Sequence, residues 1–92
     1  MEVLYWQQFR IGDPLPTILK YRGFRFFFFS NEGIEPPHVH VEKAGKYAKF
    51  WLDPIILDRS RGFTPLEIRR LRGIIEERAA EFRRKWDDFF TR

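Results

Sequence analysis

The chain has 92 residues, 33% of them charged and 18% aromatic, with a formal net charge of +4. That length makes a single domain with a barely adequate core, which large aromatic rings help by burying much area per residue. There is no cysteine, which excludes disulfides, thiolate zinc sites and cysteine nucleophiles.

No apolar stretch approaches the roughly 20 residues needed to span a bilayer, and nothing reads as a signal peptide, so a cytoplasmic protein without a membrane role is expected. The positive charge favours acidic partners, either nucleic acid or an acidic protein.

Residues 1–15 read as an N-terminal extension to a single domain over 16–92. Tyr5, Trp6 and Phe9 follow no clear period, and Asp13-Pro14-Leu15-Pro16 breaks any regular element. From Thr17 the pattern turns to β. Thr17 to Tyr21 predicts a short strand, Arg22-Gly23 a tight turn and Phe24 to Ser30 a second strand. A loop of turn formers follows from Asn31 to Pro37. His38 to Lys43 is the third strand, Ala44-Gly45-Lys46 a turn and Tyr47 to Asp53 the fourth, with a short fifth from Pro54 to Leu57.

Thr64-Pro65-Leu66-Glu67 then reads as a capping box with proline at the first helical position. Ile68, Leu71, Ile75, Ala79, Phe82, Trp86 and Phe89 follow in steps of three and four, one helical stripe. Gly73 lies off the stripe and costs about 1 kcal/mol relative to alanine, which marks it as the expected position of a kink. A single helix to Phe90 would be roughly 40 Å long and would overhang a small sheet. The expected fold is α+β: an antiparallel sheet of four to five strands, with a long, kinked C-terminal helix on one face.

The second strand is apolar on both sides, with Phe24, Phe26 and Phe28 alternating with Arg25, Phe27 and Phe29. One helix covers one face of a sheet. A homodimer or a small acidic partner is therefore expected on the face that holds Phe27, Phe29, Tyr47 and Trp51.

The most informative segment is Glu35-Pro36-Pro37-His38-Val39-His40-Val41-Glu42, which holds both histidines of the chain. On a strand, His38, His40 and Glu42 line one face while Val39 and Val41 point into the core. Three chemistries suit such a row. His38 and His40 could ligate a divalent metal ion, with Glu35 or Glu42 as a further ligand. His38, His40 and Glu42 could move the proton of a ribose hydroxyl while Arg25 and Lys49 stabilise a phosphorane. Without chemistry, Glu35, Trp51 and the helical cluster Arg69, Arg70 and Arg72 could bind RNA or a protein. The bland alternative is a pair of satisfied histidines within a sheet. The row is not that of the histidine-triad nucleotide hydrolases, because Glu42 stands where a third histidine would be.

Pro16-Thr17-Ile18-Leu19, Gly23-Phe24-Arg25-Phe26-Phe27-Phe28, Ser30-Asn31-Glu32, the histidine segment, Ala48-Lys49-Phe50-Trp51-Leu52 and Arg61-Gly62-Phe63 together resemble one family. It is the uncharacterised prokaryotic domain-of-unknown-function family 4160. The resemblance implies a small protein whose gene stands beside that of another small protein, as in a toxin–antitoxin pair. It supplies no catalytic residue. The working expectation is a component of such a pair that acts on or binds RNA, against a metal-binding enzyme or an interaction domain without catalysis.

Overall fold

The computed structural model describes residues 17–29 and 33–90. The expected N-terminal extension and the first part of the Asn31 to Pro37 loop lie outside them. The described chain forms β1 (Leu19–Tyr21), β2 (Phe24–Phe27), β3 (His38–Lys43), β4 (Lys46–Leu52) and β5 (Ile55–Arg61), then α1 (Pro65–Glu77) and α2 (Ala79–Phe90). The five strands are antiparallel and lie side by side in chain order, so the fold is α+β as the patterning implies.

The hairpin turns fix the register. Arg22 and Gly23 have φ of 52° and 86°, and Ala44 and Gly45 have 49° and 80°. Two consecutive residues of positive φ are what a two-residue turn needs to match the twist of its strands. The second turn is one residue shorter than expected, because Lys46 already pairs with Lys43. β5 is longer than expected. Beyond Leu57 it continues as Asp58-Arg59-Ser60-Arg61, a polar run on an exposed sheet edge that carries no apolar alternation. A bulge hides it further: Lys49 pairs with Arg59 but Phe50 pairs with Leu57, which leaves Asp58 as the extra residue.

Thr64 caps α1 as its sequence implies. Its hydroxyl accepts from the Glu67 amide at 3.1 Å while the Glu67 carboxylate accepts from the Thr64 amide at 2.9 Å. The helical stripe is broken at Arg78 and not at Gly73, through which α1 runs without interruption. The Arg78 amide is shared between the carbonyls of Ile74 and Ile75, and its φ of −116° turns the chain. The break removes the overhang that one straight helix would have, and it brings Ala79, Phe82 and Trp86 down onto the sheet.

The core lies between one sheet face and these helices. Phe24, Phe26, Phe28, Val39, Val41, Ala48, Phe50 and Leu52 come from the sheet side, packed under Leu71, Ile74, Ile75, Phe82 and Trp86. Helix cations tie the layers at their margins. Arg72 donates to the Ile55 carbonyl, Arg83 to that of Leu52 and Lys85 to that of Ile18.

Phe82→Ala should remove about 3–5 kcal/mol, the usual loss for deleting a buried ring, measured by urea unfolding. Thr64→Ala should remove about 1 kcal/mol by the same measurement. The Thr64 amide, and after it Lys46, hold the Glu67 carboxyl below its usual pKa. The sign follows: this contribution is present above the ordinary carboxylate pKa and is lost as pH falls through the lowered one. Acid titration of wild type against Glu67→Gln should show the loss in wild type alone.

Candidate functional site

The face opposite the helices is set by the register. His40 lies between Phe27 and Lys49, Glu42 between Arg25 and Tyr47, and His38 beside Trp51. The row His38, His40, Glu42 therefore shares one face, with Val39 and Val41 buried on the other.

Both imidazoles are buried, His38 at 0% and His40 at 1% exposure. His38 opens β3 at the sheet end nearest α2, so its ring meets Trp51 at 5.3 Å and Trp86 at 4.8 Å between centroids. Its Nδ1 donates to the Pro36 carbonyl at 2.9 Å, which fixes the ring. His40 is stacked against Phe27 at 5.5 Å and Tyr47 at 5.7 Å, with Phe29 edge-on at 4.6 Å. Its Nδ1 lies 2.6 Å from the Tyr47 hydroxyl. Tyr47 is half-buried, so this contact links the interior imidazole to a group near the surface.

Charges on the face are matched locally. Arg25 forms a short ion pair with Glu42 at 2.7 Å and covers the Phe27 ring at 4.2 Å. Lys49 is only 5% exposed; its ammonium donates to Glu35 at 3.1 Å, lies 3.7 Å from Asp58 and sits over the Trp51 ring at 4.4 Å. The β5 bulge allows this, since it places Asp58 and Arg59 on the same side of the sheet. Arg61 continues that edge and approaches the Tyr47 ring.

Of the residues singled out from sequence, the structure brings together His38, His40, Lys49, Glu35 and Trp51, with Arg25 and Glu42 alongside. Arg69, Arg70 and Arg72 are on α1, away from this face. Arg72 is engaged with the Ile55 carbonyl and the Phe50 ring. Asp58 and Trp86 are site residues that sequence reasoning missed, and Tyr47, expected on this face, is also the hydrogen-bonding partner of His40, which the sequence reading does not contain. The two-residue Ala44-Gly45 turn is the signal for Tyr47, because it places Tyr47 opposite Glu42 and hence diagonal to His40. Among the described residues, no three His, Asp or Glu side chains converge in a metal-binding group. Glu42 pairs with Arg25, and Glu35 pairs with Lys49 while its Oε1 also lies 3.9 Å from His38 Nδ1.

The face thus couples aromatic rings to cations. The chain matches the family described as Domain of unknown function (DUF4160) over residues 23–87. It belongs to that family, and the match spans every element from β2 to most of α2. No curated protein and no solved structure matches the chain. No helix among the described residues is long and apolar enough to cross a membrane.

Lys49→Met keeps the aliphatic stem over Trp51 and leaves Glu35 without its cation, while Asp58 keeps Arg59 at 2.8 Å. Both carboxylates are partly solvated, so the expected loss is about 1 kcal/mol in urea unfolding. Raising salt should weaken wild type toward the variant. A variant of unchanged stability would show that the ammonium serves no structural purpose.

Proposed function

We propose that the protein is the RNA-binding member of a toxin–antitoxin-like pair, and that it binds single-stranded RNA on the sheet face opposite its helices. The observation that supports this reading is the interleaving of half-exposed Phe29, Tyr47 and Trp51 with the accessible guanidinium groups of Arg25, Arg59 and Arg61. Unstacked bases bind to aromatic faces and phosphates to adjacent cations, which is how sheet surfaces engage single strands. Burial of both imidazoles favours binding over cleavage, because a general base must reach the hydroxyl it deprotonates.

Fluorescence polarisation with a labelled single-stranded RNA tests it. Binding should weaken with salt, and Arg59→Ala with Arg61→Ala should reduce the salt slope by about 1.4 for two lost phosphate contacts. Trp51→Ala should cost about 1–3 kcal/mol, one lost base stack. The RNA should be recovered uncut. RNA that does not bind at low salt would overturn the reading, and cut RNA would restore a catalytic role for His40 and Tyr47.

A second reading, docking of a homodimer mate or a small acidic protein, rests on an apolar notch at the sheet end. It is lined by Pro36, Trp51, Pro54 and Ile56, with Ile56 51% exposed. Sedimentation equilibrium at micromolar concentration separates the two: Ile56→Glu should dissociate an assembly formed there, and a wild-type protein that stays monomeric and binds no small acidic protein would remove this reading.

A further inference from the structure

A second groove among the described residues lies elsewhere, between the β1–β2 turn, the end of β3 and α1. It has a volume of about 540 Å³ and is walled by Tyr21, Phe24, Arg22, Lys43 and Arg70, with Gly73 on its helical side. It is on the helix side of the sheet. It is also at the far end of β3 from His38, five residues or roughly 16 Å of strand away. We propose that this groove binds a phosphate-bearing ligand of mononucleotide size.

Gly73 carries the argument first. A glycine within a helix destabilises it, and packing usually explains one that is kept there. Among the described residues packing does not: a Cβ built at Gly73 would have none of their heavy atoms within 4 Å outside its own helix and neighbours. The position faces open groove, so the missing side chain lets a ligand come close to the α1 backbone.

The charges point the same way. Arg22, Lys43 and Arg70 line the groove, and among the described residues none of them is within ion-pairing distance of a carboxylate. The two acids at its wall are already engaged. Glu67 closes the α1 cap and pairs with Lys46 at 2.9 Å, and Glu77 pairs with Arg78. Arg22 is held at the turn with positive φ, a conformation arginine rarely adopts, and its guanidinium lies over the Tyr21 ring. Lys43 lies over Phe24 and donates to the Arg22 carbonyl, so two of the three cations are positioned in advance of any ligand. Three such cations suit a phosphomonoester, which carries close to two negative charges, better than the single charge of a carboxylate. The volume is that of a small-ligand site.

The inference goes beyond RNA binding on the other face, and its test uses no RNA. Amide shifts in ¹⁵N spectra are followed on titration with adenosine 5′-monophosphate, inorganic phosphate, adenosine and tetraglutamate. The expected result is saturable shifts at Arg22, Lys43 and Gly73 with the monophosphate and none with adenosine. Inorganic phosphate shifting the same amides more weakly than the monophosphate supports a nucleotide source; equal shifts support a simpler phosphorylated source. Arg70→Ala should weaken binding about tenfold, the loss of one charged hydrogen bond. Gly73→Ala should weaken it at least as much while raising Tm by about 4–8 °C, so loss of binding cannot be ascribed to unfolding. The proposal fails if no phosphate probe shifts these amides at millimolar concentration, if Gly73→Ala binds like wild type, or if tetraglutamate binds more tightly than the monophosphate.

Discussion

Phe26 meets Phe82 at 5.6 Å and Phe28 meets Trp86 at 5.2 Å, and this contact of α2 with β2 and the residue just after it governs the rest of the structure. A chain of this size gains little from aliphatic burial alone, so the rings that span both layers must be satisfied together. Phe82 and Trp86 reach the sheet only because α1 ends at Arg78 and the second helix takes a new direction. The same contact brings Trp86 against His38, so the end of the histidine row is closed by the element that completes the core. The helix break, the core and the enclosure of His38 share one cause.

Enclosure changes what the row can do. A histidine pair on a sheet reads as chemistry when the rings face water. Here they are packed among Phe27, Phe29, Tyr47, Trp51 and Trp86, and the flanking charges close on one another, Arg25 with Glu42 and Lys49 with Glu35. Buried polar groups of this kind are stable only when each finds a partner, and they hold the strands in one register. What reaches the surface is the outer rim: Tyr47 and Trp51, with the β5 arginines beside them.

Much of the fold was legible because local chemistry and global packing agree in it. Thr64 with Glu67 marks the helix start, the alternation of Val39 and Val41 with His38, His40 and Glu42 marks the core face, and His38 to Lys43 is found as a strand with the expected bounds. The failures have physical reasons. The break at Arg78 comes from the length of the sheet, a tertiary quantity, whereas Gly73 drew attention by propensity alone. β5 was cut short because an exposed edge needs no apolar period and because the bulge at Asp58 shifts the alternation. Of the candidate site, the row itself followed from a period of two. Its partners did not, because Tyr47, Asp58 and Trp86 arrive through register, bulge and helix placement.

Because each strand pairs with its immediate successor, the sheet needs no residue beyond Arg61 to complete its hydrogen bonding. During synthesis it assembles by short hairpin steps, which close at little entropic cost. Its apolar face must then wait for Phe82 and Trp86, which emerge after it. A chain terminated at Glu77 would present Phe26, Phe28 and Phe50 on a finished sheet with no second helix to cover them. Such a nascent fragment is aggregation-prone, which makes the last dozen residues of the helical segment the element on which the yield of intact protein depends.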